Sequence, residues 1–188
     1  ASAKHVALKV RIPGWSQNQV VPSDLYSYAD SIQPEYFDLA VNGLSVNSAV
    51  VDGYATIERD WKKGDIVTLH LDMQPRLVKS SEKVAANRGK VAIERGPIVY
   101  CAEWPDNNFP VDSFVLNPTA QPSLAGKITI CGIKVPSIEA KGTSLAMQSD
   151  GSVAAAPATA TIVPYYSWSH RGPGLMTVWL PATPSLLD

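Results

Sequence analysis

The chain has 188 residues, 45% of them hydrophobic and 18% charged, with a formal net charge of −1. That length holds one large domain or two small ones with a sizeable core, and the balanced charge offers no pull on nucleic acid or on an anionic membrane surface. No apolar run approaches the roughly 20 residues of a membrane helix. With two cysteines and three scattered histidines, His5, His70 and His170, the sequence spells neither a disulfide framework nor the clustered ligands of a structural zinc site, so no metal or cofactor is expected.

The periodicity is β almost throughout. HVALKVRI (5–12) sets Val6, Leu8, Val10 and Ile12 on one face and Lys9 and Arg11 on the other. SDLYSYADS (23–31), capped at Ser23 or Asp24 and flanked by prolines, reads as a loop with at most one helical turn. YFDLAVNG (36–43) is a strand ending in the hairpin signal Asn42-Gly43. GYATIERDW (53–61) and DIVTLHLDM (65–73) alternate around a turn at Lys62–Asp65. The polar stretch 78–89 reads as a link between two modules. KVAIERGPIVYCAE then gives two short strands hinged at Gly96-Pro97, and KITICGIKV (127–135) gives one strand with a bulge at Gly132. Short strands follow near 114–116, 144–148 and 159–164. SDGSVAAAPATA (149–160) reads as a flexible surface loop, and LMTVWLP (175–181) as the last strand. Many short strands separated by turn signals predict an all-β chain of two consecutive antiparallel β-sandwich modules, 1–80 and 81–188.

The chemistry concentrates in KVAIERGPIVYCAEWPDN (90–107). Cys101 is a nucleophile or metal ligand only if a cation, metal or helix terminus lowers its pKa. It shares a strand face with Val99 and no histidine lies near it in sequence, so it reads as a small core residue, as does Cys131. Glu94, Glu103 and Asp106 supply the carboxylates a glycosidase pair needs, yet acids on solvated faces are the common case. Among the five tryptophans, Trp61 and Trp179 sit in strand patterns. Trp15 and Trp104 sit beside prolines on loops and, with Trp168, are the candidates for stacking on a sugar ring. RGPGLM (171–176) lacks the strand–loop–helix context of a phosphate loop and reads as a tight turn.

Several phrases line up in order: LKVRIPGW (8–15), VNG (41–43), GYATIERDWKKGDIVTLHLDMQPR (53–76), KVAIERGPIVYCAEWPDN (90–107) and PYYSWSHRGPGLMTVWLP (164–181). Together they resemble the carboxy-terminal part of glycoside hydrolase family 127, the β-L-arabinofuranosidase-like group once called domain of unknown function 1680. VPSDLYSYAD resembles an insertion in some bacterial members. The resemblance implies that an (α/α)6 barrel, with its cysteine nucleophile and its zinc site of cysteines and a glutamate, precedes two β-sandwiches. Only the sandwiches are matched here, so no catalytic or metal residue carries over. Cys101 falls in the family's VYC phrase, not in its nucleophile motif. The resemblance also implies that the chain begins inside the first sandwich.

Three readings follow. The chain is a non-catalytic portion of a bacterial glycoside hydrolase, partnered with the catalytic barrel of the same parent polypeptide. Alternatively it is a carbohydrate-binding module that holds plant-type arabinose-containing glycans on Trp15, Trp104 and Trp168. The third is an autonomous enzyme using Glu94, Glu103 or Asp106.

Overall fold

The computed structural model describes residues 4–29 and 37–182. Asp30 and Ser31 of the segment read as a loop, Tyr36 of the 36–43 strand and the first three residues lie outside them. The described residues form strands β1 (Lys4–Arg11), β2 (Tyr26–Tyr28), β3 (Phe37–Val41), β4 (Leu44–Ser45), β5 (Val50–Val51), β6 (Tyr54–Trp61), β7 (Val67–Leu71) and β8 (Pro75–Ser80). They continue as β9 (Lys90–Arg95), β10 (Ile98–Glu103), β11 (Phe114–Leu116), β12 (Ser123–Ile130), β13 (Ile133–Met147), β14 (Val153–Pro164), β15 (Met176–Thr177) and β16 (Leu180–Pro181). The remaining helical pieces are single 3-10 turns, so the chain is all-β, as its alternation predicts. Two compact units result. The first comprises Ala1–Pro22 and Ser31–Met73, the second Ser23–Asp30 and Gln74–Asp188.

The first unit stacks two three-stranded antiparallel sheets, β1-β6-β5 and β4-β3-β7. Alternation sends Ile12, Leu39, Val41, Ala55 and Ile57 into one core. Along β1 burial follows a gradient: Ile12 is fully enclosed, while Val6 and Leu8 on the same face are 48% and 38% exposed. Asn42-Gly43 makes the hairpin turn between β3 and β4, with φ of 52° and 78°. Asp52-Gly53 does the same between β5 and β6, with φ of 51° and 77°. At Gly53 the need for glycine is steric as well. Arg11 Nη1 donates to Gly53 O at 2.9 Å, and a Cβ on Gly53 would land on that guanidinium.

The second unit is one ten-stranded antiparallel sheet, ordered β11-β13-β14-β10-β9-β8-β2, with β12 on β13, β15 on β10 and β16 on β9. Leu77, Ile93 and Leu180 from one end meet Phe114, Ile138 and Ile162 from the other in a single core, so the sheet folds over on itself. A smaller cluster of Cys101, Ile130, Val135 and Val163 packs on the opposite face of β10. With both faces covered, Tyr100–Glu103 is buried without a break, and burial does not follow the sequence alternation there.

Five sequence readings change. The segment around 26–28 is a strand, not a loop or helical turn; β2 extends the sheet by pairing with β8. The 149–160 stretch is largely β14, paired residue by residue with β13 from Met147↔Val153 to Ile138↔Ile162. Gly132 is not a bulge: Cys131-Gly132, with φ of 49° and 82°, is the two-residue turn between β12 and β13. The bulge sits between Leu124 and Gly126. Cys131 is therefore exposed and is not a core residue. Residues 78–80 belong to β8, and 81–89 connect it to β9.

The two hairpin glycines give a paired test. Gly43→Ala has open space around it and should cost about 1–2 kcal/mol through its left-handed backbone alone. Gly53→Ala should cost about 1 kcal/mol more, because it also displaces Arg11 from its carbonyl. Urea midpoints of the two variants measure the difference, and equal midpoints would show that Arg11 contributes nothing there.

Candidate functional site

The polar residues of EWPDN and SHRGPG converge at the end of β10. The strand finishes at Glu103, and the 3-10 turn Trp104–Asp106 follows, with Pro105, which has no N–H to satisfy, as its second residue. Asn107 fastens that turn to β14. Its Nδ2 donates to Glu103 O (2.9 Å) and Thr161 O (3.1 Å), and its Oδ1 accepts from Thr161 N (2.9 Å). From the far side, the turn Tyr165–Ser167 leads into Ser169, held at φ 67°. Ser169 N donates to Glu103 Oε1 at 3.0 Å. His170 Nδ1 donates to Ser167 O at 3.2 Å.

Arg171 closes the cluster. It grips Asp106 with both terminal nitrogens, Nη1 to Oδ1 and Nη2 to Oδ2, each at 2.6 Å, and Nη2 also pairs with Glu103 Oε2. Glu103 is 2% exposed. Hydrogen bonds from Arg171 to Asp106, then to Glu103, hold the guanidinium protonated well above its ordinary range despite its burial. Gly174 passes so close to the Trp104 indole that a Cβ would strike the ring, and Trp104 N donates to Leu175 O at 3.0 Å. The 165–175 loop is thereby fixed to the strand end.

The reactive candidates are silenced by this arrangement. Burial, reinforced by the Glu103 charge, pushes the Cys101 thiol up to about 12, the reverse of what a nucleophile or metal-bound thiolate needs. Glu103 and Asp106 are committed to Arg171 and leave neither oxygen set for general acid or base work. Glu94 lies elsewhere. It pairs across the sheet with Val99, four residues before Glu103, which is roughly 13 Å along the strand. Glu94 is 8% exposed, and its desolvation lifts its pKa to about 7 against the opposing pull of the Tyr28 hydroxyl and Arg76. Among the described residues no three His, Cys, Asp or Glu side chains come together to hold a metal.

The three candidate tryptophans fall in different places. Trp15 lies half-buried on the turn Gly14–Gln17 of the first unit. Trp104 and Trp168 belong to the second. Trp104 is 42% exposed. Trp168 packs on the Cys101 cluster and stacks with Tyr165 at 6.0 Å. Sequence reasoning missed Arg171 and Asn107. Their one sequence signal is a run of polar residues beside glycine and proline, which turns and clusters share.

Removing the clamp should be costly. Arg171→Ala leaves Glu103 buried without its counter-charge, and a loss of about 3–5 kcal/mol in urea unfolding at neutral pH is expected. Arg171→Lys should fall between, since an ammonium cannot reproduce the two-pronged grip. A cost under about 1 kcal/mol for the alanine variant would mean that the cluster is not a clamp. The thiols give a second check. A neutral alkylating reagent at neutral pH should label exposed Cys131 quickly and Cys101 only in denaturant. Fast native labelling at Cys101 would show the pocket around it to be open.

Comparison with known proteins fits this geometry. Residues 75–181 match the family described as "Glycoside hydrolase family 127 C-terminal domain", and residues 1–73 match "Beta-L-arabinofuranosidase, GH127 middle domain". A non-reducing end β-L-arabinofuranosidase of Bifidobacterium longum subsp. longum is 29% identical over 192 residues, covering 95% of this chain and 26% of that protein. A solved GH127 β-arabinofuranosidase superposes with a TM-score of 0.90 at 46% identity, covering 97% of this chain and 28% of its own. A GH127 β-L-arabinofuranosidase from Geobacillus stearothermophilus T6 gives 0.77 at 28% identity, covering 97% and 27%. The chain thus spans about a quarter of the length of these relatives. It belongs to glycoside hydrolase family 127, of which it holds the non-catalytic portion, the middle and C-terminal β domains.

Proposed function

We propose that the two units support a catalytic (α/α)6 barrel carried by the same parent polypeptide, packing on it and stabilising it within a β-L-arabinofuranosidase-like glycoside hydrolase, and that they turn over no substrate themselves. The observation that carries this reading is the Arg171 clamp. It occupies the carboxylate pair nearest to glycosidase chemistry, Glu103 and Asp106, while the adjacent thiol stays protonated. A retaining or inverting mechanism needs one carboxyl free to donate a proton and another free to attack or activate water, and the clamp leaves neither. The named activity of the relatives sets the substrate class to test.

A second reading has one observation in its favour. Trp104 and Tyr165 are 42% and 43% exposed, and Tyr165 stacks with Trp168, so an aromatic surface of the kind that holds sugar rings exists on the second unit. On this reading Trp104 and Trp168 bind an arabinose-containing glycan, with Trp15 as a separate contact on the first unit.

Two measurements on the purified chain decide. With an aryl β-L-arabinofuranoside, no release above buffer is expected. Turnover that disappears in Glu103→Gln or Glu94→Gln would overturn the support role. In a titration with arabino-oligosaccharides, tryptophan emission should stay constant. A saturable change lost in Trp104→Ala would establish the binding-module reading instead.

A further inference from the structure

The described residues Ser23–Ala29 belong to the second unit, although the chain before them, up to Pro22, and that from Phe37 to Met73 belong to the first. Among the described residues strand β2 is the outermost of the sheet and pairs with β8, Tyr26↔Ser80 through Tyr28↔Val78. Backbone bonds continue the ladder at both ends, from Ala29 N to Leu77 O (2.8 Å) and from Ser81 N to Leu25 O (2.7 Å). Its two tyrosines seat in two different sockets. Tyr26 stacks on Trp179 at 5.7 Å. The Tyr28 ring lies under the Arg76 guanidinium, 3.3 Å from ring centroid to carbon, and its hydroxyl donates to Glu94 Oε1 at 3.3 Å. Beside them, Lys83 pairs with Asp24 at 2.5 Å in full solvent, a contact of small worth.

We propose that Leu25–Ala29 is a detachable clasp on the second unit, closed while Glu94 beneath it is protonated and released as Glu94 ionises. Four features carry this. The segment is an edge strand, so it can leave without breaking the ladder behind it, and edge elements open at lower free energy than central ones. Tyr28 covers the Arg76 guanidinium and hydrogen-bonds the Glu94 carboxyl, so opening strips this cover from the carboxyl. Among the described residues, the charged and titratable groups facing Glu94 are Arg76 from β8 and Tyr28 from β2, and β10 sets uncharged Val99 opposite it. Neither Arg76 nor Tyr28 offsets the desolvation in full, as the raised proton affinity of Glu94 shows.

The sign follows from linkage. Glu94 holds its proton up to about 7 when the clasp is closed and near 4.5 when it is open to solvent. Between those values the closed state binds more protons, so its advantage falls as pH rises through the window and levels off above it. This proposal is independent of the support role.

The test is residue-resolved hydrogen exchange on the full chain at pH 5.5 and pH 8, corrected for intrinsic rates. The amides of Ala29 and Ser81 should lose protection by about thirtyfold at the higher pH, while those of β13 and β14 hold theirs. Glu94→Gln, which cannot ionise, should flatten the dependence. Tyr28→Phe removes the donor that favours the ionised form and should move the midpoint upward. Protection at Ala29 and Ser81 that ignores pH in the parent chain overturns the proposal. So does pH dependence that survives Glu94→Gln. A midpoint unmoved in Tyr28→Phe removes the hydroxyl from the gate and overturns it as drawn.

Discussion

The second unit depends on one cation held between two acids. Arg171 reaches Asp106 with both terminal nitrogens and Glu103 with one of them. These groups lie more than sixty residues apart in sequence, so the contact closes the long connection from β14 to β15 onto the end of β10. Taking three charges out of water is expensive, and the cost is offset only where geometry and further hydrogen bonds are good. Here they are: Ser169 N supplies a donor to Glu103, and the planar guanidinium matches the Asp106 carboxylate. Once formed, the cluster fixes the chain on both sides of it. Gly174 lies against Trp104, and the Tyr165–Trp168 pair is set over the Cys101 cluster.

The same sheet contains a second buried polar group with a different outcome. Arg76 and Glu94 face each other in register across β8 and β9, and both are under 10% exposed. Here the guanidinium lies on the Tyr28 ring, and desolvation dominates at Glu94. Near Arg171 the guanidinium binds its carboxylates directly. Two clusters of similar composition are thus a fixed clamp and a titrating latch: at Glu103 the paired guanidinium offsets the cost of burial, and at Glu94 desolvation outweighs the pull of Arg76.

How far the sequence reveals this depends on range. Alternation in 5–12, 53–61 and 65–73 marks strands because one face is buried and the other solvated, and Asn42-Gly43 marks its turn because few residues accept positive φ. Cys131-Gly132 hides its turn, since cysteine is an unusual occupant of a left-handed position. β14 hides as a strand because its first half, Val153–Pro157, is small and exposed on both faces, which leaves no apolar period to read. β2 hides because two tyrosines and a serine between prolines carry no helical or strand periodicity; it is a strand only because β8 offers an edge. The clamp was not legible at all. EWPDN and SHRGPG each look like solvated turns, and nothing local says that Arg171 will meet Glu103.

The first unit shows what a supporting role requires of a surface. Among the described residues β1 is an edge, paired with β6, and it turns Val6 and Leu8 partly into solvent on the face that elsewhere forms the core. On its other face His5 sits between Glu58 and Asp60, and Arg11 lies over Tyr54, so that side is finished with polar contacts. One finished face and one unfinished face on the same edge strand is not how a solitary domain guards itself, because exposed edges with apolar side chains invite pairing. It is how a domain is built when a neighbour covers the edge. The chemistry agrees from the other unit: the acids and the thiol best placed for catalysis are spent on holding a loop. A chain that commits its reactive groups to its own architecture, and turns apolar side chains of an edge strand partly into solvent, suits the proposed supporting role.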